Sequence, residues 1–293
     1  MKKSIILATI IAAICAACAN DTETMNPSAD TKTITIAFQG DVDFTVQPFG
    51  TRGVANDLSA LSDVWVFDYM DGQCRQTLHQ SACDSDFGTP AISLAYGTHN
   101  LYFVASAGTG AEVNTVRPSI SWSTIGDTFY KSTRIDVGDD TNPFLSVTLD
   151  RVATALRVRS IDNVPATATY VALQPDAWYT MLDYTTGEPN GYTSHPILRY
   201  DNISNSQPLE LILYGLAPSG DYKNRVRIKT YSANGLIRES VAPAVPFLPN
   251  HVTVVTGTLF GATEDATGIT DIYSIYSNVK VRDSWGADLE VEI

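Results

Sequence analysis

The sequence predicts an all-β protein built as two consecutive antiparallel β-sandwich domains. Three observations predict it. Apolar and polar residues alternate with a period of two in one segment after another. Thr, Ser, Tyr and Val are abundant, with Asp-Gly and Asn-Gly turns between the segments. Long leucine/alanine helical runs are absent after residue 18.

The elements follow in chain order. Residues 1–17 are predicted to be a secretion signal: "MKK" is the positive start and "SIILATIIAAICAA" the apolar run, which is shorter than the about 20 residues a bilayer span needs. A plain signal peptide would be cut at a small-x-small site. The stronger reading is a lipoprotein signal with Cys18 as the lipidated residue. Ala16 and Ala17 precede Cys18, whereas the bulky Ile14 precedes Cys15. Residues 18–31 are polar, acidic and aperiodic, and read as a flexible tether. A first sandwich is expected over 32–150. "TITIAF" places Ile34, Ile36 and Phe38 on one face, and "DVDFTV" does the same for Val42, Phe44 and Val46. "DVWVFDYM" carries apolar residues on both faces, which predicts a strand buried between layers, and Asp71-Gly72 then turns the chain. "AISLAYGTHNLYFVAS" reads as two strands around Gly97.

A second sandwich is expected over 151–293, from "ATYVAL", "LELILYGL", "NHVTVVTGTLFG", "NVKVRDSW" and "DLEVEI". Its clearest hairpin turns at Asn234-Gly235. A two-residue turn there would pair Ala233 with Leu236 and Ser232 with Ile237, with Val226, Ile228, Ile237 and Val241 on one face. No exact internal repeat is visible.

Charge and motifs narrow the function. The net charge is −13, and loss of Lys2 and Lys3 with the signal takes it to −15. An acidic chain lacks the basic footprint of a nucleic-acid groove. His79, His99, His195 and His251 share no ligand spacing, and there is no nucleophile elbow or phosphate loop, so no cofactor, metal or enzymatic activity is expected. Asp139-Asp140 beside Gly138 read as solvated loop charge rather than a calcium loop. Cys74 and Cys83, in an exported chain, are expected to form a disulfide. Trp65 and Trp285 lie in strand patterns, while Trp122 and Trp178 border loops and are the candidate surface pair of a sugar platform.

Several stretches together resemble the fimbrillins of Bacteroidetes. "ALSDVWVFDYMDG" resembles their early strand, which follows a Thr-Arg dipeptide, here Thr51-Arg52. "LAYGTHNLYFVASAG" resembles a strand pair that ends on Asn in the family and on Ser106 here. "LDRVATALRVRSIDNVP", "LPNHVTVVTGTLFG" and "VKVRDSW" resemble the opening and closing segments of the second domain. The resemblance implies transthyretin-like sandwiches and a type V pilus lipoprotein at the outer membrane. It implies other fimbrial subunits as partners, and a host or bacterial surface ligand. It implies assembly by β-strand addition, with Arg52 at the position where stalk subunits are processed by protease. The short chain points to the anchor or accessory branch, which keeps residues 18–52; the C-terminal "DLEVEI" then reads as the last strand of its own domain rather than a donor. The competing expectation is a glycan-binding surface lipoprotein of a polysaccharide-uptake system, built on Trp122 and Trp178. An exported hydrolase with acids from distant strands is the third.

Overall fold

The computed structural model describes residues 31–39, 61–261, 272–274, 279–283 and 287–290. The described residues are strand, turn and loop with no helix, as the sequence predicts. The first strands are β1 (Thr31–Gln39), β2 (Asp63–Met70), β3 (Gln73–Ser81), β4 (Ala91–Ala95), β5 (Gly97–Ser106), β6 (Thr109–Asn114), β7 (Ser119–Thr124), β8 (Thr128–Val137), β9 (Phe144–Thr148) and β10 (Asp150–Arg151). Then come β11 (Ala153–Asn163), β12 (Ala168–Pro175), β13 (Ala177–Trp178), β14 (Met181–Asp183), β15 (Glu188–Pro189), β16 (Thr193–Ser194), β17 (Leu198–Tyr200) and β18 (Pro208–Leu216). The last are β19 (Tyr222–Ser232), β20 (Gly235–Phe247), β21 (His251–Gly257), β22 (Ile272–Ser274), β23 (Val279–Asp283) and β24 (Ala287–Glu290).

A three-stranded sheet, β4-β1-β9, faces a five-stranded antiparallel sheet, β10-β8-β5-β2-β3. The alternation in "TITIAF" is what seats β1: Ile34 and Ile36 are fully buried, and Phe38 meets Phe103 edge-on at 5.8 Å. Burial of such a side chain contributes about 2 kcal/mol. Val64, Val66, Leu101, Phe103 and Phe129 approach from the other sheet. Asp71 and Gly72 both have positive φ, 53° and 76°, so the β2–β3 connection is the tight hairpin turn that an Asp-Gly pair favours. Val42, Phe44 and Val46 lie outside the described residues.

A second pair of sheets, β18-β11-β21-β23-β24 and β17-β12-β19-β20-β22, packs around Leu156, Val158, Val171, Leu173, Val226, Ile228 and Phe247. Its connectivity repeats the first pair. β11 lies between an antiparallel β18 and a parallel β21, as β1 lies between an antiparallel β4 and a parallel β9. The facing orders β3-β2-β5-β8 and β17-β12-β19-β20 also correspond. The repeat is in pairing rather than in residues, which is why the sequence does not display it. Asp162 closes this unit by accepting N–H bonds from Leu259, Phe260 and Gly261 at 2.9, 2.8 and 2.9 Å, which holds Leu259 and Phe260 in the core.

The β19–β20 register corrects the sequence expectation. Ser232 pairs with Gly235 and Tyr231 with Leu236, so the turn is Ala233-Asn234. Ser232 Oγ accepts from Asn234 N at 3.2 Å and donates to Gly235 O at 3.3 Å, which stabilises the earlier turn. An irregularity between Thr230 and Tyr231 takes up part of the slip, so Val226 and Ile228 face the core opposite Ala242 and Ser240, with Ile237 packed against it; Val241 pairs with Arg227 on the other face, against the sequence expectation.

One sheet, β15-β14-β7-β6, crosses residue 150: Met181 and Leu182 pair with Ser121 and Ile120. It lies over the outer face of β2. Trp65, Phe67 and Tyr69 on that face pack with Ile120, Trp122, Leu182, Tyr184 and Leu216. Phe67 and Tyr184 stack at 3.7 Å and 1°. Tyr184 Oη lies 3.0 Å from Tyr69 Oη and donates to Asn114 O at 3.2 Å. β2 is therefore buried on both faces, as its sequence predicts. Gly187 completes the fit: its φ is 77°, and a Cβ there would lie 2.4 Å from the Tyr130 ring.

Phe67→Ala is expected to lose about 3–5 kcal/mol, since it vacates a fully buried aromatic site between two layers. Chemical denaturation of the purified chain measures this. A loss under about 1 kcal/mol would mean that the bridging sheet does not pack on β2.

Candidate functional site

The feature with functional geometry is the seat of β1. Its Thr31–Thr35 stretch pairs with β4, and its Thr35–Gln39 stretch pairs with β9. In the sheet order β4-β1-β9, the two outer strands are joined, among the described residues, only through β1. Flanking groups continue the seat: Ile36 N donates to Pro90 O at 2.9 Å and Thr35 N to Pro143 O at 2.7 Å. Thr33 Oγ1 lies 3.2 Å from Ser93 Oγ. At the start of the strand Lys32 Nζ donates to Gly138 O at 3.3 Å and Asp139 O at 2.5 Å, and Tyr96 Oη donates to Asp139 Oδ1 at 2.6 Å. The acidic β8–β9 turn thus receives an internal cation. Among the described residues no group of three or more His, Cys, Asp or Glu is placed to hold a metal ion. Removal of β1 would leave an apolar slot flanked by two unpaired strand edges, a seat shaped for another strand.

β1 joins β2 through residues 40–60, which include Arg52. Arg52 and the lipidation candidate Cys18 lie outside the described residues, as does Trp285. At the other end of the chain, β24 pairs with β23 from Lys280↔Glu290 to Asp283↔Ala287, so the described part of "DLEVEI" belongs to a sheet of its own unit.

The expected Cys74–Cys83 bond is corrected. Both thiols are free, Cys74 half-buried and Cys83 exposed. Cys74 is the second residue of β3 (Gln73–Ser81) and Cys83 lies two residues past its end; at about 3.3 Å per residue the extended chain from Cys74 to Ser81 alone spans about 23 Å, and the turn that follows does not bring Cys83 back to it. A disulfide needs Cα atoms within about 7 Å. The expected surface tryptophans are corrected as well. Trp122 is packed beside Trp65 over β2, and Trp178 lies in the second core with Nε1 donating to Tyr214 O at 3.1 Å. Neither offers a face to a sugar. Both rings sit on strands, Trp122 in β7 and Trp178 in β13, which turn them into the cores despite the neighbouring loops that motivated the expectation.

Each histidine has a local partner. His79 Nε2 lies 2.8 Å from Asp63 Oδ1 and its ring stacks on Trp65 at 4.9 Å. His99 is buried with Nδ1 2.6 Å from Asp68 Oδ1 and Nε2 2.9 Å from Ala95 O. Burial pushes the Asp68 carboxyl up, against the pull of its His99 hydrogen bond. His195 lies 3.6 Å from Asp176, and His251 Nδ1 lies 2.7 Å from Pro249 O.

A buried ion pair that sequence reasoning missed ties the two halves together. Arg151 Nε donates to Asp127 Oδ1 at 2.8 Å, with both side chains buried, and Nη1 donates to Asn250 Oδ1 at 3.3 Å. The guanidinium also lies 4.9 Å from the centre of the Phe129 ring. Burial pushes the Asp127 carboxyl up, and the charge and hydrogen bond of Arg151 act against that. The only sequence signal was an Arg at the junction of the two blocks.

No family model matches the chain, and no curated protein matches it. Solved structures do. A candidate adhesin from Bacteroides ovatus ATCC 8483 is 9% identical, with a TM-score of 0.50 over 72% of this chain and 82% of that one. The fimbrial anchor protein Mfa2 from Porphyromonas gingivalis is 9% identical, with a TM-score of 0.45 over 72% of this chain and 82% of that one. A candidate cell adhesion protein from Bacteroides eggerthii DSM 20697 is 11% identical, with a TM-score of 0.45 over 90% of this chain and 96% of that one. The first of these shares the arrangement of the fold.

Arg151→Ala is expected to lose about 3–5 kcal/mol, because it leaves the Asp127 carboxylate buried and unpaired. The double change Arg151→Met with Asp127→Leu should recover most of it. Thermal or urea unfolding of the three proteins checks both statements.

Proposed function

We propose that the chain is a non-enzymatic, cell-surface fimbrial or adhesion subunit of the anchor or accessory kind, assembling with other subunits by β-strand addition. The observation that carries this reading is β1. It sends Ile34 and Ile36 fully into the core, and among the described residues it alone joins β4 to β9. It lies at the end of the sandwich sequence that a cut after Arg52 would detach. The fold shared with the Bacteroides ovatus candidate adhesin and the sequence resemblance to fimbrillins support the same reading.

Export, cleavage before Cys18 and lipidation of that thiol would place the protein at the outer membrane, with residues 18–31 as tether and sandwiches over 32–150 and 151–293. The anchor role requires residues 18–52 to stay attached, because the lipid and β1 are on the same side of Arg52. A strand from a neighbouring subunit would then be accepted at an edge, and the paired β23–β24 end would not be donated.

Two measurements test this. Cys18→Ala should move the protein from the membrane fraction to the soluble fraction and abolish labelling by an alkyne fatty acid; labelling that survives would sink the lipid assignment. N-terminal sequencing of protein from native surface fibres should find the chain blocked at Cys18. A chain starting at Gly53 would replace the anchor role with that of a processed stalk or tip subunit.

A further inference from the structure

β13 pairs antiparallel with β16, Ala177 opposite Ser194 and Trp178 opposite Thr193. The same register places Tyr179 opposite Tyr192. Their ring centres are 5.4 Å apart with planes at 55°. Tyr222, at the start of β19, lies 5.6 Å from Tyr179 at 82°. The cluster is rooted inward, since Tyr222 and Trp178 both pack against Phe247. Tyr179 and Tyr222 are half-buried, and Tyr192 is 59% exposed. Tyr192 therefore presents a ring to solvent from a position braced by two others.

The rim of this cluster is polar and ordered. Asp176 accepts from Arg225 Nε at 3.0 Å and from Arg227 Nη1 at 2.9 Å, with His195 at 3.6 Å. Desolvation pushes the Asp176 carboxyl up, but the hydrogen bonds and charges of Arg225 and Arg227 outweigh it and hold it below the usual carboxylate range. Burial, with the neighbouring Tyr179, Tyr192 and Asp176, pushes the Tyr222 hydroxyl up to about 12, so at neutral pH it remains a donor.

We propose that Tyr179, Tyr192 and Tyr222, with Asp176 and Arg225 at their rim, form a carbohydrate-binding site for a neutral pyranose unit of a polysaccharide. The apolar C–H face of a pyranose lies on the exposed Tyr192 ring, while its vicinal hydroxyls meet a fixed carboxylate and a guanidinium of the rim. The same geometry disfavours a quaternary ammonium: rings 5.4–5.6 Å apart touch one another and leave no cage between them. It also disfavours a phosphate or sulfate, because Asp176 and Glu239 balance the charges of Arg225 and Arg227 and leave no net cation for an anion, while N–H groups of Arg225 not bound to Asp176 can still donate to a hydroxyl. The site is independent of the fimbrial reading.

The test is affinity electrophoresis of the full mature chain through gels containing mannan, xylan, laminarin, dextran or galactomannan. At least one polysaccharide is expected to retard the native protein, and Tyr192→Ala is expected to weaken that retardation about tenfold or more. Asp176→Asn should weaken it too, and Phe144→Ala, at an exposed ring on the distant β9, should leave it unchanged. Circular dichroism and melting temperature confirm that Tyr192→Ala is folded. No retardation by any of the five, or retardation that Tyr192→Ala leaves intact, overturns the proposal.

Discussion

The first sandwich depends on one strand being in place. Among the described residues β4 and β9 have no ladder with each other, and the sheet is joined through β1. The strand runs antiparallel to one neighbour and parallel to the other, and it sends Ile34 and Ile36 fully into the core. Two kinds of interaction therefore sit in nine residues: the ladder on both sides and the apolar face below. Losing them would expose both a row of unpaired donors and acceptors and a strip of apolar surface, which is why such a seat either stays filled or recruits a strand. Lys32 adds a third contact by donating to the carbonyls of the acidic β8–β9 turn.

The second sandwich has the same pairing logic with a different setting. β11 is the counterpart of β1, yet it continues directly from β10, and its parallel partner β21 is covered on the far side by β23 and β24. The two halves are held as neighbours by the aromatic layer over β2, with Phe67 stacked on Tyr184, and by the buried Arg151–Asp127 pair with Asn250. The outer face of the first sandwich is thus spent on the contact with the second half. That directs attention for further partners to the β1 seat and to loop surfaces such as the Tyr192 cluster.

Much of this was legible because it rests on local periodicity. "TITIAF" announced a seated strand, and the apolar residues on both sides of "DVWVFDYM" announced β2 as a strand between layers before the second layer was visible. Asp71-Gly72 marked its turn through backbone chemistry alone. The failures share a different cause. The Asn234-Gly235 turn moved by one residue because the Ser232 hydroxyl stabilised the earlier turn, a competition that a dipeptide signal does not contain. Cys74 and Cys83 were close in sequence, but an extended strand converts that closeness into distance. Trp122 and Trp178 were judged by their loop positions, whereas both are buried against elements far along the chain. The Tyr179–Tyr192–Tyr222 cluster was invisible for the same reason, since it forms only when β13 meets β16 and the start of β19 approaches.

The central claim is that the first sandwich is complete only while a strand fills the β1 seat, in the anchor role the chain's own β1. A chain beginning at Gly53, refolded with and without a synthetic peptide of the sequence TKTITIAFQ, tests it most directly by calorimetry and thermal melting. The account predicts that the truncated chain is unstable or aggregates alone, that the peptide binds it saturably and raises its melting temperature, and that a peptide with Ile34 and Ile36 replaced by Asp does neither. A truncated chain that melts like the intact protein and ignores the peptide would contradict it.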